Sequence, residues 1–456
     1  MLLDLSCLSY PLPPDVRRLY EAGDFGRMEL VIRRRLDDPC VPEALKARLR
    51  VQMEMAYEIP RAYPYTRAQM LDILQKNVSG FAEEELETLR DDGTLDWRYV
   101  NGEVRFKNNA LSALLKTRKE YAMRATDPAV MSGAKASAEQ LSAMIAKMKA
   151  NGGVRARFEL HEELTVRSDR LTEGETLRIH LPMPIVGAQV KRAELLSASH
   201  PVAFLAPEDE PQRTIYFELP YELGMTVSAE IAYEIDAPYA QPHAREVYAE
   251  QPVFDTEELP PHVVFTPYLR ALAKEIVGDE TNALLKARKI YDFITTQAVY
   301  RFMPPYLTVP NIPEYFLSGL RGDCGVQAIT FVTLCRLCGV PAQWQSGLYT
   351  KPNSAGHHDW ARFYVAPFGW LFADCSFGGS AYRAGDLERW NFYFGNLEPW
   401  RMPTCSAFQQ EFNPPRRFLR HDPYDNQSGE VESLTRRLYA DEYEDDCRVV
   451  RYEEME

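Results

Sequence analysis

Three short segments of the sequence hold the residues whose types and spacing could do chemistry. Cys324 lies in RGDCGVQA, His358 lies in HHDW, and Asp374 lies in GWLFADCS. A cysteine nucleophile needs a base to take its proton, and the base needs a third group that fixes its orientation. In this chain order, Cys324, His358 and Asp374 predict a nucleophile, a general base and acid, and an orienting carboxylate.

The helix that should begin at Cys324 would favour the reactive form of the thiol. Apolar residues over 326–337 predict a buried helix, Gly339 ends it, and Asp323 is the expected N-cap. Free N–H groups and the helix dipole stabilise a thiolate there, which would lower the thiol pKa from about 8.5 by about one unit or more. The same amides could hold the oxyanion of a tetrahedral intermediate.

A hairpin is expected to bring the base and the orienting group together. The run 360–366 alternates as a strand, and 368–369 is the expected turn. A hairpin of this length returns Asp374 to the level of His358, where a carboxylate can fix the imidazole tautomer. Trp360, at the start of the strand, is a candidate for substrate binding.

Four neighbouring residues are alternatives or additions to this set. His357 is an alternative base and Asp359 an alternative orienting group, because alternation does not separate adjacent positions. The His-x-Trp spacing favours His358. Tyr300 and Tyr306, in the loop that precedes Cys324, could donate a hydrogen bond to the oxyanion, although aromatic residues in such loops usually pack.

At these residues the sequence resembles the transglutaminase-like superfamily of papain-type thiol enzymes, over about residues 262–400. The resemblance lies in Gly322-Asp323-Cys324-Gly325 leading into a helix with Ala328, in Leu334-Cys335-Arg336 with Gly339 and Pro341, in His358 two residues before Trp360, and in Gly369-Trp370 ahead of Asp374. Members often have a proline after that aspartate, where this chain has Cys375.

The resemblance implies a papain-like α+β core in which an activated cysteine attacks a carboxamide or peptide carbonyl and forms a thioester. Members include cross-linking acyltransferases, peptidases, amidases, de-N-glycosylating enzymes and inactive scaffolds, so the outcome is open. We expect a hydrolase that cleaves an amide or peptide bond. The alternatives are an acyltransferase that moves a glutamyl or other acyl group to an amine, and a catalytically silent interaction protein.

The elements that position this unit predict an α+β protein of several segments. Helical spacing, alternation and turn residues divide the chain into five segments. The first two are a mainly helical domain over 1–151, with a winged-helix-like part over about 66–125, and an antiparallel β-sandwich-like domain over 154–240. A proline-rich linker over 237–261, the catalytic domain over 262–426 and a solvated acidic tail over 427–456 follow.

The winged-helix-like part raises the question of DNA binding. Asn101-Gly102 between two alternating runs predicts a hairpin that follows two helices. The second helix carries Glu83, Glu84 and Glu85, which repel phosphate rather than attract it. A protein-contact or structural role is therefore expected for this part.

Composition excludes several other classes. The net charge of −14 argues against a sequence-independent grip on nucleic acid. The 8 cysteines lack framework spacing, and no apolar run has the length of a membrane span or signal segment, so we expect free thiols, a cytoplasmic location and no membrane partner.

No metal or cofactor is expected either. Cys335 and Cys338 form a CxxC, but they lie in an apolar helix without a second ligand pair, which favours core packing over zinc. The chain has no nucleotide-binding motif. The expected partner is a peptide or protein substrate or a small amide, and the sequence does not indicate an oligomeric state.

Overall fold

The first third of the chain is mainly helical. In the computed structural model, residues 5–352 and 354–455 are described. Helices of this region are α1 (Pro14–Glu21), α2 (Phe25–Asp37), α3 (Glu43–Ala62), α4 (Arg67–Asn77), α5 (Glu83–Asp91), α6 (Ala110–Thr117), α7 (Lys119–Ala122) and α8 (Ala129–Asn151). Its strands are β1 (Tyr65–Thr66), β2 (Trp97–Val100) and β3 (Glu103–Phe106), in the order β1-β3-β2.

The hairpin predicted at Asn101-Gly102 is present between β2 and β3. Asn101 and Gly102 have φ values of 50° and 89°, and positive φ at both central residues is what a type I′ turn requires. The surrounding helices α4 to α6 share a small apolar cluster of their own with this hairpin, centred on Leu74, Leu86 and Phe106. The winged-helix-like interpretation of these elements stays a prediction.

The middle of the chain forms strands, as the alternation predicted. These strands are β4 (Gly153–Val166), β5 (Thr176–Pro182), β6 (Val190–Ala198), β7 (Phe204–Leu205), β8 (Thr214–Pro220) and β9 (Thr226–Pro238). Along β4 every second residue is buried, with Phe158, Leu160 and Leu164 on the inward face. Burial of this apolar row fixes which face of the strand points inward.

The remaining elements build the region around Cys324 and the end of the chain. They are α9 (Pro267–Val277), α10 (Ala283–Gln297), β10 (Val299–Tyr300), α11 (Ile312–Gly319), β11 (Arg321–Gly322), α12 (Cys324–Leu337), β12 (Ala342–Tyr349), β13 (His357–Val365), β14 (Gly369–Ala373), α13 (Cys375–Arg383), α14 (Leu387–Phe392), β15 (Phe394–Gly395), β16 (Arg401–Cys405), β17 (Glu430–Ser433) and β18 (Tyr443–Met455).

A five-stranded antiparallel sheet supports the candidate site. Its strand order is β15-β14-β13-β12-β16. The almost wholly buried helix α12 packs on β13, and Phe331 of the helix meets Phe363 of the strand with ring centroids 5.7 Å apart. The contact of Cys324 with Asp359 places the first turn of α12 beside the first residues of β13. The fold is a mixture of helices and sheets.

The acidic C-terminal segment is not a solvated tail, so that prediction is wrong. β17 pairs with β5, and β18 pairs with β4 from Tyr443 to Met455. Each thereby completes a four-stranded sheet, with orders β17-β5-β8-β7 and β18-β4-β9-β6. The acidic side chains of β18 are mostly exposed at the edge of its sheet, where charge discourages pairing with another chain.

None of the described helices is both long and apolar enough to span a membrane.

Candidate active site

Cys324 is the first residue of α12, as predicted. The Asp323 carboxylate caps the helix by accepting a hydrogen bond from the Val326 N–H at 3.2 Å. Satisfying that amide fixes where the helix begins, so it also fixes the position of the cysteine. Cys324 is partly exposed, whereas almost all of the helix behind it is buried. Cys324 is therefore placed at the end of a rigid element.

The sulfur of Cys324 contacts a carboxylate rather than an imidazole. Its thiol donates a hydrogen bond to Oδ2 of Asp359 at 3.2 Å. No hydrogen bond joins this sulfur to the His358 ring among the residues that the structure describes. Asp359, predicted only as an alternative orienting group for the histidine, is thus the direct polar neighbour of the cysteine.

The surroundings of Cys324 raise its pKa, which corrects the expected lowering. Burial is the main cause, and the carboxylates of Asp359 and Asp323 add to it because a second negative charge nearby is unfavourable. Burial and Asp323 likewise raise the pKa of Asp359 well above its usual range. The two groups therefore titrate as a pair, and these effects outweigh the helix amides on which the expectation rested.

His358 and Asp374 meet as the hairpin predicted. Nε2 of His358 lies 2.8 Å from Oδ2 of Asp374, and both side chains are buried. In the register of β13 and β14, Ala361 lies opposite Ala373, so Asp374 comes level with Trp360, two residues along β13 from His358. If Nε2 carries the proton that it donates to the carboxylate, Nδ1 has a free lone pair and can act as a base.

Asp374 is held in place from several sides. Its Oδ1 accepts hydrogen bonds from the Phe377 N–H at 2.9 Å and the Ser376 hydroxyl at 3.0 Å. It thereby caps α13 as well as facing His358. A carboxylate with this many partners cannot rotate freely, so the imidazole is fixed too.

Arg401 is a residue of this site that sequence reasoning missed. From β16, its guanidinium lies 2.9 Å from Oδ2 of Asp374, and its Nε donates to Glu398 at 3.0 Å. All three groups are buried. Nothing in the spacing around Arg401 marks it, because β16 reaches the site only by pairing with β12.

The ion pairs set the charge of the catalytic candidates. Burial by itself would raise the pKa of Asp374, but His358 and Arg401 outweigh it and hold that pKa at about 2. Burial lowers the pKa of His358 despite the neighbouring Asp374. The expected state near neutral pH is therefore an ionised Asp374 beside a neutral imidazole, which is the form of histidine that accepts a proton.

Gln427 is a second residue that sequence reasoning missed. Its Nε2 donates to the backbone oxygen of His358 at 3.0 Å and to Oδ1 of Asp359 at 2.9 Å. Asp359 is thus held by Cys324 through one oxygen and by Gln427 through the other. Gln427 falls at the predicted boundary between the catalytic domain and the tail, where the sequence offered no reason to expect a site residue.

Trp360 and His357, also predicted for the site, lie in different surroundings. Trp360 is fully buried and its Nε1 donates to Gln345 at 2.8 Å, so the prediction that it binds substrate is wrong. Its ring instead packs beside that of His358, with centroids 6.2 Å apart. His357 is exposed and contacts the Ser428 hydroxyl at 3.4 Å.

The two tyrosines differ in what they can donate. The Tyr306 hydroxyl donates to Asp323, the N-cap of α12, so its proton is already engaged. Tyr300 lies beside Cys324, and burial followed by that neighbour raises its pKa. Of the two tyrosines, Tyr300 lies next to the sulfur, and its role as an oxyanion donor stays a prediction.

The site offers no evident place for a metal ion. Within the described part of the chain, no cluster of three or more His, Cys, Asp and Glu side chains could hold one. Cys335 is buried inside α12, and Cys338 is the C-cap of that helix.

Gly325→Ala should destabilise the protein by about 1–3 kcal/mol, because overpacking in a fixed environment has this cost. A Cβ at Gly325 would overlap the Tyr306 hydroxyl and lie 3.0 Å from Oδ2 of Asp359. Urea denaturation measures the difference. Gly319→Ala is the matched control, since a Cβ there meets no atom within 4 Å. Equal stability of the two variants would contradict the tight packing inferred around Cys324.

The class of protein follows from this geometry and from sequence comparison together. A helix with a cysteine at its start, packed on an antiparallel sheet that carries a buried histidine–aspartate pair, supports a thiol enzyme in general. Residues 270–375 match the model of the transglutaminase-like superfamily. This segment is therefore a transglutaminase-like core, and the resemblance seen in the sequence motifs is confirmed.

Solved structures offer more distant similarities. The chain is similar to a protein described as a candidate cysteine protease from Cytophaga hutchinsonii, with 14% identity and a TM-score of 0.42, covering 66% of this chain and 91% of that one. It is also similar to the periplasmic domain of TgpA from Pseudomonas aeruginosa, with 15% identity and a TM-score of 0.27, covering 54% and 95%. No curated protein matches the chain. At these TM-scores the family assignment rests on the sequence match.

Proposed function

We propose that the protein is a cysteine-dependent hydrolase that cleaves an amide or peptide bond through a thioester intermediate. Cys324 is the nucleophile, His358 moves the proton, and Asp374 orients His358. The observation that supports this most is the buried pair of His358 and Asp374, 2.8 Å apart, in which His358 lies on the strand against which the Cys324 helix packs. A neutral imidazole with a fixed orientation is what general base catalysis needs.

The proposed reaction has two halves. Cys324 gives its proton to Nδ1 of His358 while the sulfur attacks the substrate carbonyl, and backbone amides of the first turn of α12 stabilise the oxyanion. The C–N bond then breaks, the leaving amine takes the proton from His358, and a thioester remains. Water attacks the thioester with His358 as base, the C–S bond breaks, and the sulfur leaves protonated by the imidazolium.

In the free enzyme, Asp359 holds Cys324 in a resting state in which the thiol keeps its proton. The thiol is hydrogen-bonded to this carboxylate, so it must turn away from Asp359 and toward His358 before attack. Because the sulfur and the carboxylate share one proton, the resting cysteine stays neutral and unreactive. A substrate that displaces the thiol from Asp359 would therefore also activate it.

A non-catalytic interaction protein is the second candidate. The observation that favours it is the bond of Cys324 to Asp359 together with the raised pKa of the thiol. In that case the residues of the site would have only a structural role, and the other domains would bind a partner. Acyl transfer to an amine, the third possibility, differs from hydrolysis only in the group that resolves the thioester.

Trapping the acyl-enzyme tests the proposal without knowledge of the natural substrate. We expect p-nitrophenyl acetate to transfer one acetyl group to Cys324, located by peptide mass spectrometry, because an activated ester needs little substrate recognition. Cys324→Ala should abolish this label, and His358→Ala should slow both its formation and its loss. The matched control is Cys338→Ala, which removes another partly exposed thiol.

The outcomes separate the three candidates. Acetylation of other cysteines with Cys324 spared would contradict the proposal and favour the non-catalytic protein. Faster loss of the label on addition of glycinamide, with formation of the acetylated amide, would favour acyl transfer. Loss at the same rate with and without the amine would favour hydrolysis.

A further inference from the structure

A carboxyl group occupies a position on β4 that should be apolar. Glu162 lies on the inward face of this strand, in the same row as Leu160 and Leu164, and is only 3% exposed. Burial of a carboxylate is costly unless a cation or hydrogen-bond donors compensate it. A glutamate at such a position therefore needs an explanation that core packing does not supply.

The partners of Glu162 do not compensate it. Its Oε2 has no hydrogen-bond partner among the described residues, and its Oε1 meets only the Cys447 sulfur at the long distance of 4.0 Å. Within the same part of the chain it forms no ion pair. Burial, followed by the neighbouring carboxylate of Asp445, raises the pKa of Glu162 well above its usual range. Without a cation the group is therefore held neutral.

Glu162 lines a cavity of about 160 Å³. Three further carboxylates, those of Glu163, Asp445 and Asp446, lie in its wall. Two of these are already compensated, since Glu163 contacts His161 at 3.1 Å and Arg448 contacts Asp446 at 3.2 Å. The cavity is thus rich in carboxyl groups, with Glu162 as its buried member, and His357 also lies in its wall.

The rest of the wall is partly apolar and leads toward the candidate active site. Leu181, Pro182 and Leu348 supply the apolar surface, and Gln427 forms part of the same wall. Gln427 is hydrogen-bonded to Asp359 at 2.9 Å, and Asp359 in turn accepts the Cys324 thiol. The Gln427 side chain therefore lies between the acidic cavity and Asp359, the residue that binds the Cys324 thiol.

We propose that this cavity binds the ammonium group of a substrate, with the Glu162 carboxylate as its charge partner. An ammonium brings three hydrogen-bond donors and one positive charge, which match the buried carboxyl group of Glu162 and the neighbouring carboxyl groups of the wall. A cavity near 150 Å³ can hold a molecule of the size of benzene, so a short alkyl chain fits beside the apolar wall.

The ammonium could come from a lysine-like side chain or from the α-amino end of a peptide. Both present the same charge and donors, and they differ in the length of the chain that carries the group. The proposed role in substrate recognition rests on the thiol-enzyme function proposed above, because it assumes a scissile carbonyl at Cys324. Binding of the cation itself does not depend on that function.

Calorimetric titration of the full chain with Cys324→Ala tests the proposal, because this background prevents turnover. The probes are Nα-acetyl-lysine N-methylamide for a side-chain ammonium, alaninamide for an α-ammonium, and the Nα,Nε-diacetylated lysine amide as the neutral analogue. We expect one of the two cationic probes to bind and the neutral analogue to bind at least tenfold more weakly. The cationic probe that binds identifies the source of the ammonium.

Glu162→Gln should weaken binding of that probe at least tenfold, since it removes the charge and keeps the shape. Glu159→Gln is the matched control, because Glu159 lies on the opposite face of β4 and outside the cavity. Asp445→Asn is a second variant at an exposed position of the same cavity and should also weaken binding, by a smaller factor.

The proposal is overturned if Glu162→Gln is folded and binds the probe as tightly as the protein with Glu162 does. It is also overturned if neither cationic probe binds at millimolar concentration, or if the neutral analogue binds equally well. If Glu162→Gln unfolds, unchanged binding by Asp445→Asn overturns it instead. Acyl-enzyme formation on Cys324 is measured in a separate experiment. A negative titration would therefore not contradict the proposed thiol-enzyme function, and absence of the acyl-enzyme would not contradict the cation site.

Discussion

Asp359→Asn is expected to speed the alkylation of Cys324 by iodoacetamide roughly ten- to a thousandfold at pH values at which Asp359 is ionised and the thiol is still protonated. The carboxylate lies 3.2 Å from the sulfur, and a like charge at such a distance shifts a pKa by about 1–3 units. Each unit corresponds to a tenfold change in the thiolate fraction. Asparagine keeps the shape of the side chain and removes the charge.

The direction of the change in the Cys324 pKa follows from the proton that the thiol shares with Asp359. While Asp359 is ionised, loss of the thiol proton would place two anions next to each other, so the thiol pKa is raised. Without that charge the thiol titrates at lower pH, and its alkylation profile moves in the same direction. Mass spectrometry of each cysteine peptide over a pH series measures the profile.

Cys338 of the same chain serves as an internal control. It is partly exposed, and burial, rather than Asp359, accounts for its raised pKa, so its profile should not move. An unchanged profile for Cys324 in the Asp359→Asn variant would show that the carboxylate does not hold the thiol in solution. The resting state proposed for the enzyme would then have to be abandoned.

Arg401→Met is expected to lower the free energy of unfolding by about 3–5 kcal/mol, the usual cost of removing one partner from a buried ion pair. The substitution keeps most of the side-chain volume but leaves the carboxylates of Asp374 and Glu398 buried without their cation. Arg401 contacts them at 2.9 Å and 3.0 Å. Urea denaturation with a two-state fit gives the difference.

The same variant should alter the response of stability to pH. Arg401 contributes to the low pKa of Asp374, about 2, so this carboxyl stabilises the fold above its unfolded-state pKa, and that stability is lost as the pH falls toward about 2. Without Arg401 the pKa of Asp374 rises, and the variant should lose stability at a higher pH than the parent protein.

An exposed pair provides the control for this prediction. Arg33 contacts Glu29 at 2.6 Å, and the Arg33 side chain is 59% exposed. Exposed ion pairs contribute little because solvent already screens both charges, so Arg33→Met should leave the denaturation midpoint almost unchanged. If the two arginine variants lost equal stability, burial of the Arg401 pairs would not be the cause.

The two sets of predictions concern different parts of one site. In the proposed mechanism, Asp359 and Gln427 affect the protonation of Cys324, whereas Asp374 and Arg401 affect the orientation and charge of His358. One described hydrogen bond joins the two sets, from Gln427 to the backbone oxygen of His358. The proposed reaction requires both sets, since the Cys324 sulfur must move away from Asp359 and toward His358.

Local patterns were enough to predict a large part of this arrangement. The N-cap at Asp323, the helix from Cys324 and the hairpin that returns Asp374 to His358 all follow from residues close together in the chain. Capping, helix termination and the two-residue period of a strand are short-range effects, so nearby residues determine them. The strand positions of the middle segment were predictable for the same reason.

The electrostatic environment of the thiol could not be predicted in this way. A helix start favours a thiolate when it stands alone, but β13 brings Asp359 to the sulfur, and burial raises the pKa of both groups. Which of two adjacent strand residues faces a helix depends on the twist and position of the sheet. Alternation places His358 and Asp359 on opposite faces and does not say which face meets Cys324.

What the sequence by itself determined was the chemistry of the candidate residues, their order and the local elements that carry them. Only the tertiary structure decided which groups lie together. It brought Arg401 from β16 to Asp374, Gln427 to Asp359, and the acidic end of the chain to β4 as a strand. Each of these contacts joins segments distant in sequence, and long-range pairing depends on how whole sheets and helices pack, which no local pattern records.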